Sequence, residues 1–198
     1  MSANPETRRK GRWILIGLFA LFFAPLLFAT AWYALVPGYT PPSTPHGVLI
    51  DPARPLEPFR LESGDGEALT LEGMRGLWYL VHFVPQRCDD ACRERLYETR
   101  QVRDALGEDR SRVRRLIVAG MGRSTPGLSD LLEEHPRLVV IPGEGRGDFG
   151  RQFPDERRSD TVFLVDPLGN LMMRFPPGLP PGDMLDDLEK LLKLSRIG

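Results

Sequence analysis

The sequence is poor in the residues that usually announce chemistry. Among 198 residues there are two cysteines and three histidines, so any thiol or imidazole function rests on five positions. Lysine occurs only as Lys10, Lys190 and Lys193, the other basic residues being arginine. Nucleotide composition of a genome produces such a bias, and no function follows from it. Neither sign of charge is in excess. The 26 basic and 27 acidic residues give a formal net charge of −1, which argues against a nucleic-acid binder. There is no internal repeat and no low-complexity tract. With 41% hydrophobic and 27% charged residues, the chain is not disordered, collagen-like or a polytopic membrane protein. It has room for one ordinary domain with a real core.

What is present is tripartite. Residues 13–36, WILIGLFALFFAPLLFATAWYALV, contain no charge over 24 positions. As a helix this run spans the roughly 30 Å of a hydrocarbon core. Pro25 interrupts it at a cost that membrane helices tolerate. Trp13 at one end and Trp32 and Tyr33 at the other suit the two interfaces. Arg8, Arg9, Lys10 and Arg12 precede it, so residues 1–12 are expected in the cytoplasm and everything after Pro37 outside, as in a single-pass inner-membrane protein with a periplasmic domain. The rival is a cleaved signal peptide, for which Ala29-Thr30-Ala31 supplies a small-x-small cleavage site. The apolar run is longer than the usual signal of about 7–15 residues, which favours the anchor. Residues 37–56, dense in proline, read as an extended linker. Residues 57–198 read as one domain. Removing the cytoplasmic Glu6 and its four basic neighbours leaves 22 basic against 26 acidic residues outside.

The order of elements in that domain is readable. Phe59–Leu61 and Ala68–Thr70 flank a turn-rich Ser63-Gly64-Asp65-Gly66 and predict a hairpin. Leu77–Val84 is a nearly continuous apolar run, as in a buried central strand. Residues 89–106 predict a helix and Arg115–Ala119 a second core strand. Thr125-Pro126 predicts the N-cap and first position of a helix running to about His135. Leu138–Ile141 is a short strand suited to an edge. Thr161–Val165 and Asn170–Phe175 predict a hairpin around Asp166-Pro167-Leu168-Gly169. A helix over 182–194 closes the chain, with Leu185, Leu188 and Leu192 on one face. The pattern predicts an α/β domain, a mixed sheet with helices on both faces in a thioredoxin-like architecture, behind the N-terminal membrane helix.

Cys88 and Cys92 follow the central strand and open the first long helix, where their i, i+4 spacing stacks the side chains on one face. The amides of that helix start, with Arg87 and Arg93, favour thiolate, while Asp89 and Asp90 oppose it. Two thiolates one turn apart can exchange electrons with a partner disulfide or hold a soft cation such as Cu(I). A purely structural disulfide is the alternative, but so small a loop adds little constraint to the unfolded chain. Of the histidines, His46 lies in the linker and reads as solvated, and His135 ends a helix where its dipole favours it. His82, inside the central strand, is either a hydrogen-bonded core residue or a proton carrier for the cysteine pair.

Taken in order, these motifs resemble the Sco/SenC family of copper-handling cytochrome c oxidase assembly proteins, membrane-anchored relatives of thioredoxin. The resemblance covers about residues 57–194. It rests on Cys88-Asp-Asp-Ala-Cys92 as the family's C-x-x-x-C, on the hairpin Phe59-Arg-Leu-Glu-Ser-Gly-Asp-Gly66, on Thr125-Pro126 and on Leu164-Val-Asp-Pro-Leu-Gly169. It implies copper as cargo and a cytochrome c oxidase subunit, or another thiol protein, as partner. Two departures qualify it. The family's third copper ligand, a histidine, aligns near Arg158, where none is present. Arginine cannot ligate, because its guanidinium stays protonated. Thioredoxin's cis-proline position reads Ser159-Asp160-Thr161. Three readings therefore stand: an oxidase assembly factor working through Cys88 and Cys92 by thiol redox or Cu(I) handling, a general extracytoplasmic thiol–disulfide oxidoreductase, and an oxidase-docking protein without cysteine chemistry.

The membrane reading has a direct check. The protein should resist extraction by alkaline wash, and protease added from outside should cut beyond Pro37. A soluble product beginning near Trp32 would establish the signal peptide instead.

Overall fold

The computed structural model describes residues 5–35, 45–63, 66–85, 88–120, 133–135, 137–143, 147–155, 158–195 and 197. The chain divides into two units, 1–44 and 45–198. The first contains a single helix, α1 (Pro5–Leu35), with Pro25 inside it. Its stretch Leu15–Trp32 is long and apolar enough to cross a membrane. Phe19 stacks on Phe23 and Phe28 on Trp32, each pair one turn apart.

The second unit is built on a six-stranded mixed sheet in the order β1-β8-β7-β4-β5-β6. Its strands are β1 (Val48–Pro55), β4 (Trp78–Val84), β5 (Val113–Ala119), β6 (Leu138–Ile141), β7 (Val162–Val165) and β8 (Asn170–Phe175). β4, β5 and β6 run parallel, whereas β7 is antiparallel to β4 and to β8. A separate two-stranded sheet pairs β2 (Arg60–Glu62) with β3 (Ala68–Thr70), the predicted hairpin. The short helix α2 (Leu71–Met74) follows, capped by the Thr70 side chain.

Alternation along β4 sends Tyr79, Val81 and Phe83 into one core, and Trp78, Leu80 and Val84 into the packing on the other face. On the first side, Phe83, Phe149, Phe153 and Phe163 meet ring to ring at 5.0–6.1 Å, and the short helix α4 (Gly147–Arg151) supplies Phe149. On the second side lie α3 (Asp90–Ala105), through Leu96 and Val102, and α5 (Pro181–Leu194), through Met184, Leu188 and Leu192. The predicted sandwich of helices about a mixed sheet is the observed fold, with β6 at the edge.

Two expectations need correction or restriction. Residues 37–56 are not linker throughout, because Val48–Pro55 is edge strand β1, paired antiparallel to β8. Its start is held by the buried Asp187 of α5, whose Oδ2 accepts the N–H groups of His46 and Gly47 at 2.8 Å each. Gly47 is required there, since a Cβ would sit 2.8 Å from the Phe175 ring. The helix expected from Thr125-Pro126 lies outside the described residues except for its last turn at 133–135.

The turn Asp166–Gly169 is as the sequence implied. Asp166 Oδ1 accepts the Leu168 and Asn170 N–H groups at 2.9 and 2.8 Å, and Gly169 adopts φ +90°.

Candidate redox site

Past the C-terminal end of β4 the chain turns into α3, and the turn carries both cysteines. Asp89 is the N-cap: its backbone is extended and its Oδ1 accepts the Cys92 N–H at 3.0 Å. Cys88 thus precedes the cap in the loop, while Cys92 sits on the first helical turn. The two form a disulfide with a Cα–Cα distance of 5.2 Å. They differ in environment. Cys88 is half-buried, whereas Cys92 is 6% exposed and packs with Val84, Leu96 and Ile117. The loop residue is therefore the more exposed of the two. Asp89 has a dual effect. Its carboxylate stabilises the helix start, yet it occupies an amide that would otherwise favour a thiolate.

A cleft of about 470 Å³ adjoins Cys92, with Asp89, Arg95, Ser159, Asp160 and Gly178 also in its wall. The 3₁₀ turn Arg158–Asp160, just before β7, packs on β4 and α3 and forms one side of it. His82 fixes that turn. Its Nε2 lies 2.8 Å from the Ser159 carbonyl oxygen, so it donates and the proton resides on Nε2. Nδ1 is then a bare acceptor, buried and without a partner among the described residues. Burial lowers the His82 pKa to about 4, Ser159 opposing and Arg95 adding to the shift. The ring is neutral at physiological pH.

The remaining candidates resolve as follows. Arg93, beside Cys92 in the chain, has its Nη1 3.9 Å from Glu134. Arg87 and Arg157 lie outside the described residues. His46 Nδ1 is 3.6 Å from Asp183 on the surface. His135, read as a helix-end residue, is buried, and burial lowers its pKa, with Arg115 and Arg100 acting in the same direction. Among the described residues no three His, Cys, Asp or Glu side chains cluster to hold a metal. The turn that aligns with the absent ligand gives the Ser159 carbonyl to His82 and places Ser159 and Asp160 in the cleft wall.

Comparisons with known proteins agree with the architecture. A family model described as a transmembrane-like, thioredoxin-like C-terminal domain matches residues 78–195, and a transmembrane-like N-terminal domain matches residues 5–36. No curated protein matches the sequence. Among solved structures, yeast Sco1 with copper bound has a TM-score of 0.63 at 18% identity, covering 73% of this chain and 95% of its own. Apo Sco1 from Thermus thermophilus has 0.60 at 22% identity, covering 75% and 97%. BsSco, described as having a disulfide switch and as a member of the Sco family of cytochrome c oxidase assembly proteins, has 0.54 at 16%, covering 73% and 96%. The fold is that of the Sco proteins, as the motif order implied.

The buried histidine gives a testable pH dependence. The unfolded chain takes up this proton near pH 6.5 and the folded chain only near pH 4. The associated stability is complete above pH 6.5 and is lost as pH falls toward 4, by at most about 3 kcal/mol. His135 adds in the same sense. His82→Gln keeps a donor for Ser159 and should flatten the loss when chemical unfolding is followed from pH 7 to 4. An unchanged profile would show that His82 is not held neutral by the fold.

Proposed function

This chain belongs to the transmembrane-like, thioredoxin-like family, and from that premise we propose that it is a membrane-anchored thiol–disulfide exchanger serving cytochrome c oxidase copper-centre assembly. The observation that carries the reading is the asymmetric disulfide: one sulfur half-buried in a loop, the other buried under the first helical turn. That is the division of labour exchange chemistry requires. In the reduced form the Cys88 thiolate attacks a partner disulfide, forming a Cys88–partner bond and releasing one partner sulfur as a thiolate. Cys92 then attacks Cys88, closing the intramolecular disulfide and releasing the second partner thiolate. Two electrons pass to the partner, and a dithiol donor restores the reduced pair. The cleft beside Cys92 receives the partner segment, with its polar wall suited to main-chain groups. His82 contributes chiefly by holding the Arg158–Asp160 turn; a base with its pKa near 4 carries a proton only transiently.

The N-terminal helix tethers this chemistry to the membrane, with the C-terminal domain on the extracytoplasmic side. A broader role as a general extracytoplasmic oxidoreductase shares the same chemistry and differs only in the partner. Copper enters as cargo of the reduced pair. Two soft thiolates suit Cu(I), whereas the nearby imidazole of His82 has its Nε2 committed to the Ser159 carbonyl, which disfavours Cu(II).

Trapping distinguishes exchange from a structural disulfide. Cys92→Ser in the full chain should accumulate a mixed disulfide through Cys88, and Cys88→Ser should accumulate none. If neither variant traps a partner and thiol-alkylating reagents reach neither cysteine after mild reduction, the bridge is structural.

The copper reading has its own check. Anaerobic titration of the reduced chain should show Cu(I) binding that both cysteines are needed for, with Cu(II) bound far more weakly. Arg158→His should strengthen Cu(II) binding. Tight Cu(II) binding by the native chain, abolished by His82→Ala, would instead make His82 the third ligand.

A further inference from the structure

At the other end of the sheet from the cysteines, arginines converge without enough acids to balance them. α3 presents Arg100 and Arg103 one turn apart, the 3₁₀ turn Gly107–Arg112 presents Arg110, β5 presents Arg115 and the residue before β6 is Arg137. These five line one cleft of about 410 Å³, and Asp104 is the single carboxylate in its wall. The cleft is not a loose surface patch. Arg115 is 4% exposed; its Nη1 donates to the Leu96 carbonyl at 3.0 Å, while Nη2 is enclosed with no partner among the described residues. Arg103 is also buried, its Nε donating to the Val113 carbonyl at 2.7 Å and its Nη1 lying 3.7 Å from Asp104. Burial lowers the Arg115 pKa to about 10, with Arg103 and Arg100 lowering it further. The group nevertheless stays charged at neutral pH.

Burying guanidinium groups together is costly unless counter-charge is supplied. The C-terminal end of α3 offers a partial charge of about −0.5, which answers part of one arginine and not five. Arg137 is the one non-glycine described residue with positive φ, at 69°, a conformation that costs energy and places its side chain at this rim. Planar guanidinium forks from several directions match the oxygens of a tetrahedral oxyanion, which accepts paired N–H bonds that a chloride ion cannot.

We propose that this cleft binds a phosphate-type oxyanion, at a site separate from the disulfide and independent of the exchange reading. The ligand is either a free phosphate compound or a phosphate headgroup at the membrane surface, since both offer the same chemistry.

Calorimetric titration of the full chain in neutral detergent with inorganic pyrophosphate, at constant ionic strength, tests it. One site per chain is expected, weakened about tenfold or more by Arg110→Gln or Arg137→Gln, whose exposed side chains can be changed without disturbing the core. Arg115→Gln should abolish binding if it folds; the rim variants decide the matter if it does not. Absent binding, binding unaffected by the rim variants, or a thermal stabilisation reproduced by chloride at matched ionic strength would overturn the proposal. In lipid discs, phosphatidic acid that blocks pyrophosphate binding, relative to phosphatidylcholine alone, supports the site with a headgroup as its ligand. Binding that is unchanged by phosphatidic acid supports it with a free anion.

Discussion

All seven residues of β4 are buried, and both of its edges are paired, to β5 on one side and β7 on the other. A strand so enclosed cannot slip: a one-residue shift would move every side chain to the opposite core. Its C-terminal end is thus a firmly located point from which the chain leaves the sheet, and Cys88 follows before the cap with Cys92 on the first turn of α3. The other parts of the site depend on the same strand. His82 projects from it to hold the Ser159 carbonyl, and α3 packs back on the same face through Leu96 and Val102. Position, burial and asymmetry of the disulfide are consequences of one doubly buried strand.

Much of this was legible because the sequence is locally consistent there. Leu77–Val84 is apolar but for His82, Val162–Val165 and Asn170–Phe175 bracket an Asp-Pro-Leu-Gly turn, and the last helix shows a clear apolar face. β1 was obscured because it is an edge strand, exposed along nearly all its length, with Pro52 and Pro55 inside it. Only Val48-Leu49-Ile50 hinted at it. The five residues of α4 are too few to establish a period.

The two cysteines announced the candidate site, but the features that shape it did not stand out. Asp89 looks like a charge opposed to thiolate chemistry, and its role as a cap depends on where α3 begins. Asp187 looks like one more acid on a helix surface, and only the returning chain at His46 and Gly47 shows why it is buried. Arg115 looks like a polar interruption of an apolar strand. Its meaning comes from Arg100, Arg103, Arg110 and Arg137, spread over 38 residues of sequence. Tertiary convergence of like charges has no signature in local periodicity.

The redox and copper readings are linked by the sulfur atoms they share. A disulfide sulfur is a poor ligand, and thiolates are what bind soft metals, so oxidation at Cys88 and Cys92 excludes Cu(I) and reduction admits it. On the proposed reading, Cu(I) held by two thiolates alone would keep a coordination position open for a partner's thiolate. A third protein ligand would slow such a transfer by filling that position. The absence of histidine near Arg158 therefore does not place cargo transfer and thiol exchange in opposition. Both would start from the reduced pair at the same half-buried position, with Cys88 attacking a partner disulfide or a partner thiolate taking the Cu(I), so the oxidation state of the partner's sulfurs would decide which of them occurs.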